Sequence, residues 1–578
     1  MRLSLFAALV LSLLFQSCGD SKNNNTQNTT KREAKGGVKY GGVFRYNESE
    51  FLKSIYPLGV TEVTGHRITN QVYEGLVRFN QKDLTIEPCL AKSWEVSEDA
   101  TQYTFRLHSG VKFHNDPCFE GGKGRLMTAQ DFVYSLNQLC TPDPKNQGFT
   151  FFRDVIAGAE ELYTAREKKQ DDKLLLEKWG VKALDDTTLQ ITLRKPTVDL
   201  LQRLALPFAA VFPKEAVEKY KGEILYHAVG TGPFVLKALK QDEAIILARN
   251  EEYWDKDEFG NQLPYLDGIK VSFMKEEKNE MLAFKKGDLE LKYRLPFDMI
   301  DEIIDENKQL KGEYKKFQLQ VAPELSTQFY GFLVPDKLMS NKNVRLAFNY
   351  AIDRKAIADY TAKGEGTPCM NGFVPLGMPG YDNAQVKGYT FDAAKAKEYL
   401  AKAGYPNGKG FPKITLEINS GGGRNEKIAE AIQKMLTQNL NIEVEITQVV
   451  WAQHTNNVET GKVNFWRFGW VADYPDPINF LSLFYGKNVP ATMEQASYGN
   501  PTRYKNAAYD ALLEKAMNTT NDAERNKLYV QLDQMIVDDA PVLLITHSMN
   551  RRLLQPYVQN CPNNGMEYRN FREVWLDK

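Results

Sequence analysis

Residues 467–477 read RFGWVADYPDP, from Arg467 to Pro477, and place one carboxylate, Asp473, between two aromatic residues and just ahead of two prolines. Pro475 and Pro477 restrict their own φ and the conformations of the residues before them. A carboxylate in so stiff a segment, flanked by Trp470 and Tyr474, can be held half-buried to await a cation. The charge-assisted hydrogen bond it would make is short and strong. Taken alone, the same D-Y-P-D-P run reads as a turn with Asp473 as its local cap, so the rest of the chain has to decide between a cap and a binding group.

The chain has 578 residues, room for about three or four domains, and its 42% hydrophobic and 25% charged content is that of a protein with a full core rather than a disordered one. Lys plus Arg number 73 against 74 Asp plus Glu, a formal net charge of −1. Nothing in that balance draws the whole molecule to nucleic acid. At the N-terminus, Met1–Arg2 precede an apolar run from Leu3 to Phe15 and then Gln16–Ser17–Cys18, the pattern of an export signal over 1–17. The run is shorter than the roughly 20 residues that span a bilayer. Cys18 resembles the lipidated cysteine of a bacterial lipoprotein, with Phe15–Gln16 departing from the usual residues there; two or three acyl chains suffice for stable anchoring. Residues 18–39, nearly without apolar side chains, read as a flexible tether. The other cysteines, Cys89, Cys118, Cys140, Cys369 and Cys561, are odd in number, so one at least stays free or pairs elsewhere. Cys118 and Cys140 are close enough in sequence to clip a loop to a helix, whereas small buried thiols account for most of the set.

Local patterns alternate between β and α. Gly41–Tyr46 reads as a strand, His66–Leu76 as a helix, Trp94–Val96 and Tyr103–Leu107 as strands around a turn, and Thr128–Asp131 as a capped helix start. Thr188–Leu193 alternates as a strand, Pro213 opens a helix, and the unbroken apolar run Ala244–Ala248 reads as a fully buried strand. Helical spacing returns over 344–352, 393–403, 428–440, 509–517 and 529–536, with strand-like runs at 414–418 and 442–450 between them. A sheet covered by helices follows.

The order and spacing of Tyr73–Glu–Gly–Leu76, Leu90–Ala–Lys–Ser–Trp94, Phe105–Arg–Leu–His–Ser–Gly–Val–Lys–Phe–His114, Gly230–Thr–Gly–Pro–Phe234, Arg249–Asn–Glu–Glu–Tyr–Trp254, Val344–Arg354, Ala403–Gly–Tyr–Pro406 and Trp470–Pro477 resemble the extracytoplasmic solute-binding proteins of ABC importers, family five, the oligopeptide and dipeptide branch. The resemblance covers nearly all of the chain after residue 40. It implies an α/β, two-lobed flytrap of the class II periplasmic-binding-protein type, with an extra subdomain inserted in the first lobe. Lobe I is expected over 40–75, 200–299 and 545–578, the inserted subdomain over 76–199, and lobe II over 300–544. By the same resemblance Asp473 grips a peptide's α-ammonium, Trp470 and Val471 line the first pocket or bond through the backbone, and Arg467 falls where some members carry a carboxylate-binding Arg. The implied protein is a monomeric, membrane-anchored lipoprotein of the cell envelope that passes peptides to permease subunits, with no cofactor and no metal. The loop 116–127 and the segment 160–179 are longer than the family's pattern.

Competing signals are weaker. His108 and His114 lack a third metal ligand. Asp255–Gly260 starts like a calcium loop but has Leu266 at its twelfth position. Ser420–Gly–Gly–Gly–Arg424 could nest an anion yet lacks the Lys of a phosphate loop, and reads as a connection after a strand. Among Tyr330, Phe332, Trp451, Trp466 and Trp470, which could line a cleft, each taken singly reads as core. A secreted peptidase finds no recognisable motif. The same fold binding a nickel complex, haem, an opine or a sugar is the remaining alternative.

Overall fold

The computed structural model describes residues 33–60, 62–420 and 423–578. Cys18, the signal segment, most of the tether and two glycines of the Ser420–Arg424 loop lie outside these. One 11-stranded sheet runs through the molecule. Its order is Val444–Val449, Ile414–Asn419, Phe465–Val471, Gln318–Phe332, Val542–Leu554, Leu291–Lys292, Val43–Glu48, Gly268–Phe273, Ala244–Arg249 and Phe234–Lys240, with Gly366–Pro368 added against Val542–Leu554.

The two longest strands, Gln318–Phe332 and Val542–Leu554, are antiparallel partners that belong to both halves of this sheet. Gln318 pairs with Leu554 at one end and Gly331 with Val542 at the other, and the register shifts between Pro323 and Thr327. Proline supplies no ladder donor and a bulge bends its strand. The ladder is therefore bent at this point, on the two strands that connect the halves of the sheet, here called the hinge strands. A separate four-stranded antiparallel sheet, Ala91–Val96, Gln102–Leu107, Thr188–Thr192 and Val181–Asp185, builds the inserted subdomain. Its helix Ala129–Gln138 starts with a capping box between Thr128 and Asp131, as the sequence indicates.

The first lobe is tied together by buried charge. Arg67 contacts Glu48 at 3.0 Å, Arg569 contacts Glu48 at 3.0 Å and Glu567 at 2.9 Å, and Arg552 lies 3.5 Å from Glu567. This joins the first strand, the following helix, a hinge strand and the C-terminal segment.

Two expectations are corrected, and the reading of most cysteines as small buried thiols holds. The helix expected over His66–Leu76 runs Val63–Val72 instead. It stops because the Val72 carbonyl accepts from the Gly232 N–H at 2.9 Å, and Glu74 accepts from Thr231, Tyr253 and Trp254. Ala244–Arg249 is covered on one face only, with Ile246 40% exposed, because it lies in the antiparallel part of the sheet, one strand in from the edge. Cys118 and Cys140 are not bridged; all five described cysteines are free thiols.

Candidate functional site

In the second lobe the parallel strands Ile414–Asn419 and Val444–Val449 and the neighbouring Phe465–Val471 deliver their carboxyl ends to one side. Crevices at such ends are where open α/β sheets bind ligands. Phe465–Val471 pairs along its length with the hinge strand, from Phe332↔Phe465 to Ser326↔Val471. On its other edge, pairing with Ile414–Asn419 is confined to Glu417↔Trp466, and the Arg467 carbonyl faces His454 Nε2 at 2.7 Å. From Phe468 to Val471 that edge meets no strand among the described residues.

Asp473 lies just beyond this open edge. It lines a cavity of about 470 Å³ whose other wall comes from the inserted subdomain and the first lobe, with His66, Gln147, Phe151, Arg203 and Phe208 facing Trp470, Tyr474 and Tyr498. The carboxylate is reachable by water within the cavity yet crowded by its walls. Desolvation raises its pKa, while a hydrogen bond from Asn479 and the more distant Arg203 pull it back. Arg203 is committed elsewhere, to Asp199 at 2.7 Å and over the Tyr474 ring at 5.6 Å. Among the described residues no Lys or Arg pairs with Asp473 directly.

Asn479 organises this end of the site and escaped the sequence reading. Its Oδ1 accepts from the Trp470 indole at 2.9 Å and from the Asp473 N–H at 3.2 Å, and its Nδ2 donates to Asp473 Oδ2 at 3.2 Å. Asn479→Ala leaves two partly or fully buried donors without an acceptor and is expected to cost about 1–3 kcal/mol. An unchanged melting temperature would contradict this role.

At the opposite end of the open edge, Arg467 donates to Asn419 Oδ1 at 3.0 Å and to Gln328 Oε1. Both partners are neutral. Burial lowers its pKa to about 10, with Arg424 adding like-charge repulsion and Tyr330 opposing. The strand thus carries an uncompensated acid at one end and an uncompensated base at the other.

Of the four residues singled out in the sequence, Asp473 and Trp470 share one cavity. Arg467 lines a second one, beside Gln328, Glu365 and Arg424. Val471 lines neither and is 45% exposed at the end of its strand. Trp451 is half exposed and stacks on Phe468 at 5.5 Å, whereas Trp466, Phe332 and Tyr330 are core. His114 is buried against the Gly232 carbonyl, and Asp257 accepts from Phe259, Asn261 and Tyr265 within its own loop.

The model of the bacterial extracellular solute-binding proteins, family 5 Middle, matches residues 85–492. The chain belongs to this family. It is 29% identical over the full length of both chains to heme-binding protein A of Haemophilus influenzae. To the oligopeptide-binding protein OppA of Bacillus subtilis it is 28% identical, over 92% of each chain. Its structure resembles that of the periplasmic binding protein DppA of Helicobacter pylori in complex with the peptide STSA, with a TM-score of 0.74 and 27% identity over 93% of this chain and 99% of that one. No described helix is long and apolar enough to cross a membrane.

Proposed function

We propose that this family 5 protein captures short zwitterionic peptides in the crevice between its lobes and delivers them to an ABC permease. The observation that carries the reading is the pair of unmatched charges on one open strand edge. A peptide laid along Phe468–Val471 would gain main-chain hydrogen bonds whatever its side chains, its ammonium would meet Asp473, and its carboxylate would meet Arg467. Arg467 and Val471 are four residues apart on a strand, about 13 Å, which suits two to four peptide residues. Lobe closure about the hinge strands completes the desolvation, and the ligand favours the closed form by its greater affinity for it.

In this reading lobe I comprises 40–75, 200–299 and 545–578, the inserted subdomain 76–199, and lobe II 300–544. An export signal over 1–17 and acylation of Cys18 would hold the protein at the envelope surface. Binding is tested by calorimetry with peptides of two to five residues, with haemin, sugars and nickel chelates as controls. Free peptides are expected to bind and their C-terminal amides to bind about tenfold or more weakly. Arg467→Gln should abolish that difference. Binding of haemin or a sugar with no peptide response would remove the proposal.

A further inference from the structure

The 18-residue helix Gly423–Leu440 begins at the carboxyl end of Ile414–Asn419 and brings Arg424 and Asn425 into the small cavity that Arg467 lines, together with Gln328, Glu365 and Ser548. The charges there do not balance. Arg467 has neutral amide partners only. Arg424 reaches Glu365 at 3.2 Å. A third guanidinium, that of Arg551, packs against Gly364, the neighbour of Glu365. Arg551 is only 6% exposed, and its Nε and Nη1 have no hydrogen-bond partner among the described residues.

Arg424 and Arg551 therefore share the Glu365 carboxylate while Arg467 has none, and the helix N-terminus adds positive potential of its own. An isolated buried cation is costly unless something compensates it. A single ligand carboxylate would match Arg467 and leave the surplus at Arg424 and Arg551 unmatched. We propose that this end of the crevice selects peptides whose last residue is acidic, with the α-carboxylate at Arg467 and the side-chain carboxylate at Arg424, whose partner Glu365 also serves Arg551. Arg-to-carboxylate bonds of this kind are charge-assisted and frequently bidentate. The inference rests on the peptide reading above and names its substrate class.

The test is calorimetry of the full chain at low ionic strength with peptides that differ only in the last residue, Glu, Gln or Ala, at lengths of two, three and four. At the best length the Glu peptide should bind at least about tenfold tighter than the Gln peptide, a difference of about 1.4 kcal/mol. That advantage should vanish in Arg424→Gln and in Arg551→Gln. Equal affinity of the wild type for Glu and Gln peptides overturns the selectivity while leaving peptide binding intact, and needs no variant to fold. An advantage that survives in both variants overturns the assignment to these two residues. Failure of every peptide to bind removes the peptide reading, and the selectivity falls with it.

Discussion

Replacing Asp473 with Asn is expected to weaken the binding of free peptides by about thirtyfold or more. Truncating one partner of a desolvated charge pair costs about 2–5 kcal/mol, much of it the penalty of leaving the other charge unpaired. The carboxylate is open to water in the crevice, which places the loss near the lower end, and about 1.4 kcal/mol corresponds to each factor of ten. The same substitution should not harm the empty protein. Burial raises the Asp473 pKa, so the folded protein takes up its proton more readily than the unfolded chain. The ionised form is therefore penalised at neutral pH, and a neutral isostere relieves the penalty. The expected signature is a melting temperature equal to or above that of the wild type together with lost affinity. Acidification should act alike: peptide affinity falls as pH drops through a window that begins above the group's ordinary value of 3.8, because the ammonium loses its counter-charge. A variant that bound peptide normally would contradict the role of Asp473, and one that lost binding by unfolding would show it in the melting curve.

The largest stability effect is expected at Glu567. Its burial alone would raise its pKa, but Arg552, Arg569 and Arg67 outweigh that and hold it down to about 2. Because the folded value lies below the ordinary 4.5, the carboxylate contributes stability at all pH values above about 4.5 and loses it as pH falls toward 2. Glu567→Gln removes the acid beside Arg552 and leaves Arg67 and Arg569 with Glu48 alone, and should cost about 3–5 kcal/mol at neutral pH. The variant should also lose less stability than the wild type between pH 5 and pH 2. Denaturant midpoints measured at both ends of that range check both statements. A neutral substitution at pH 7 would show that the buried network does not tie the lobe together.

What the sequence made legible was what it wrote locally. RFGWVADYPDP placed Asp473 and Trp470 together because aromatic and proline punctuation acts within a few residues. Thr128 and Asp131 gave a helix start for the same reason, their side chains completing each other's backbone bonds across one turn. Partners that only the closed fold brings near were not legible. Arg203 and Phe151 stand 270 and 322 residues before Asp473 and face it across the crevice. Asn479 is close in sequence, but it becomes the hub of the site only because the chain turns back after Pro475–Pro477. The helix after His66 failed for a related reason: its apolar spacing continues to Leu76, while Gly232, a distant residue, takes the Val72 carbonyl and ends it. Arg424 lay in a glycine-rich loop that reads as a connection, and its meaning depends on Arg467 and Glu365 arriving from other elements.

The central claim is that an unmatched acid at the end of an open strand edge receives the positive end of a peptide. Calorimetry of the unmodified protein with one tightly bound peptide, in its free and N-acetylated forms at pH 7, tests it most directly. The account predicts that acetylation, which removes the charge and leaves the rest of the ligand intact, lowers affinity by about thirtyfold or more. Equal affinity for the two forms would contradict it.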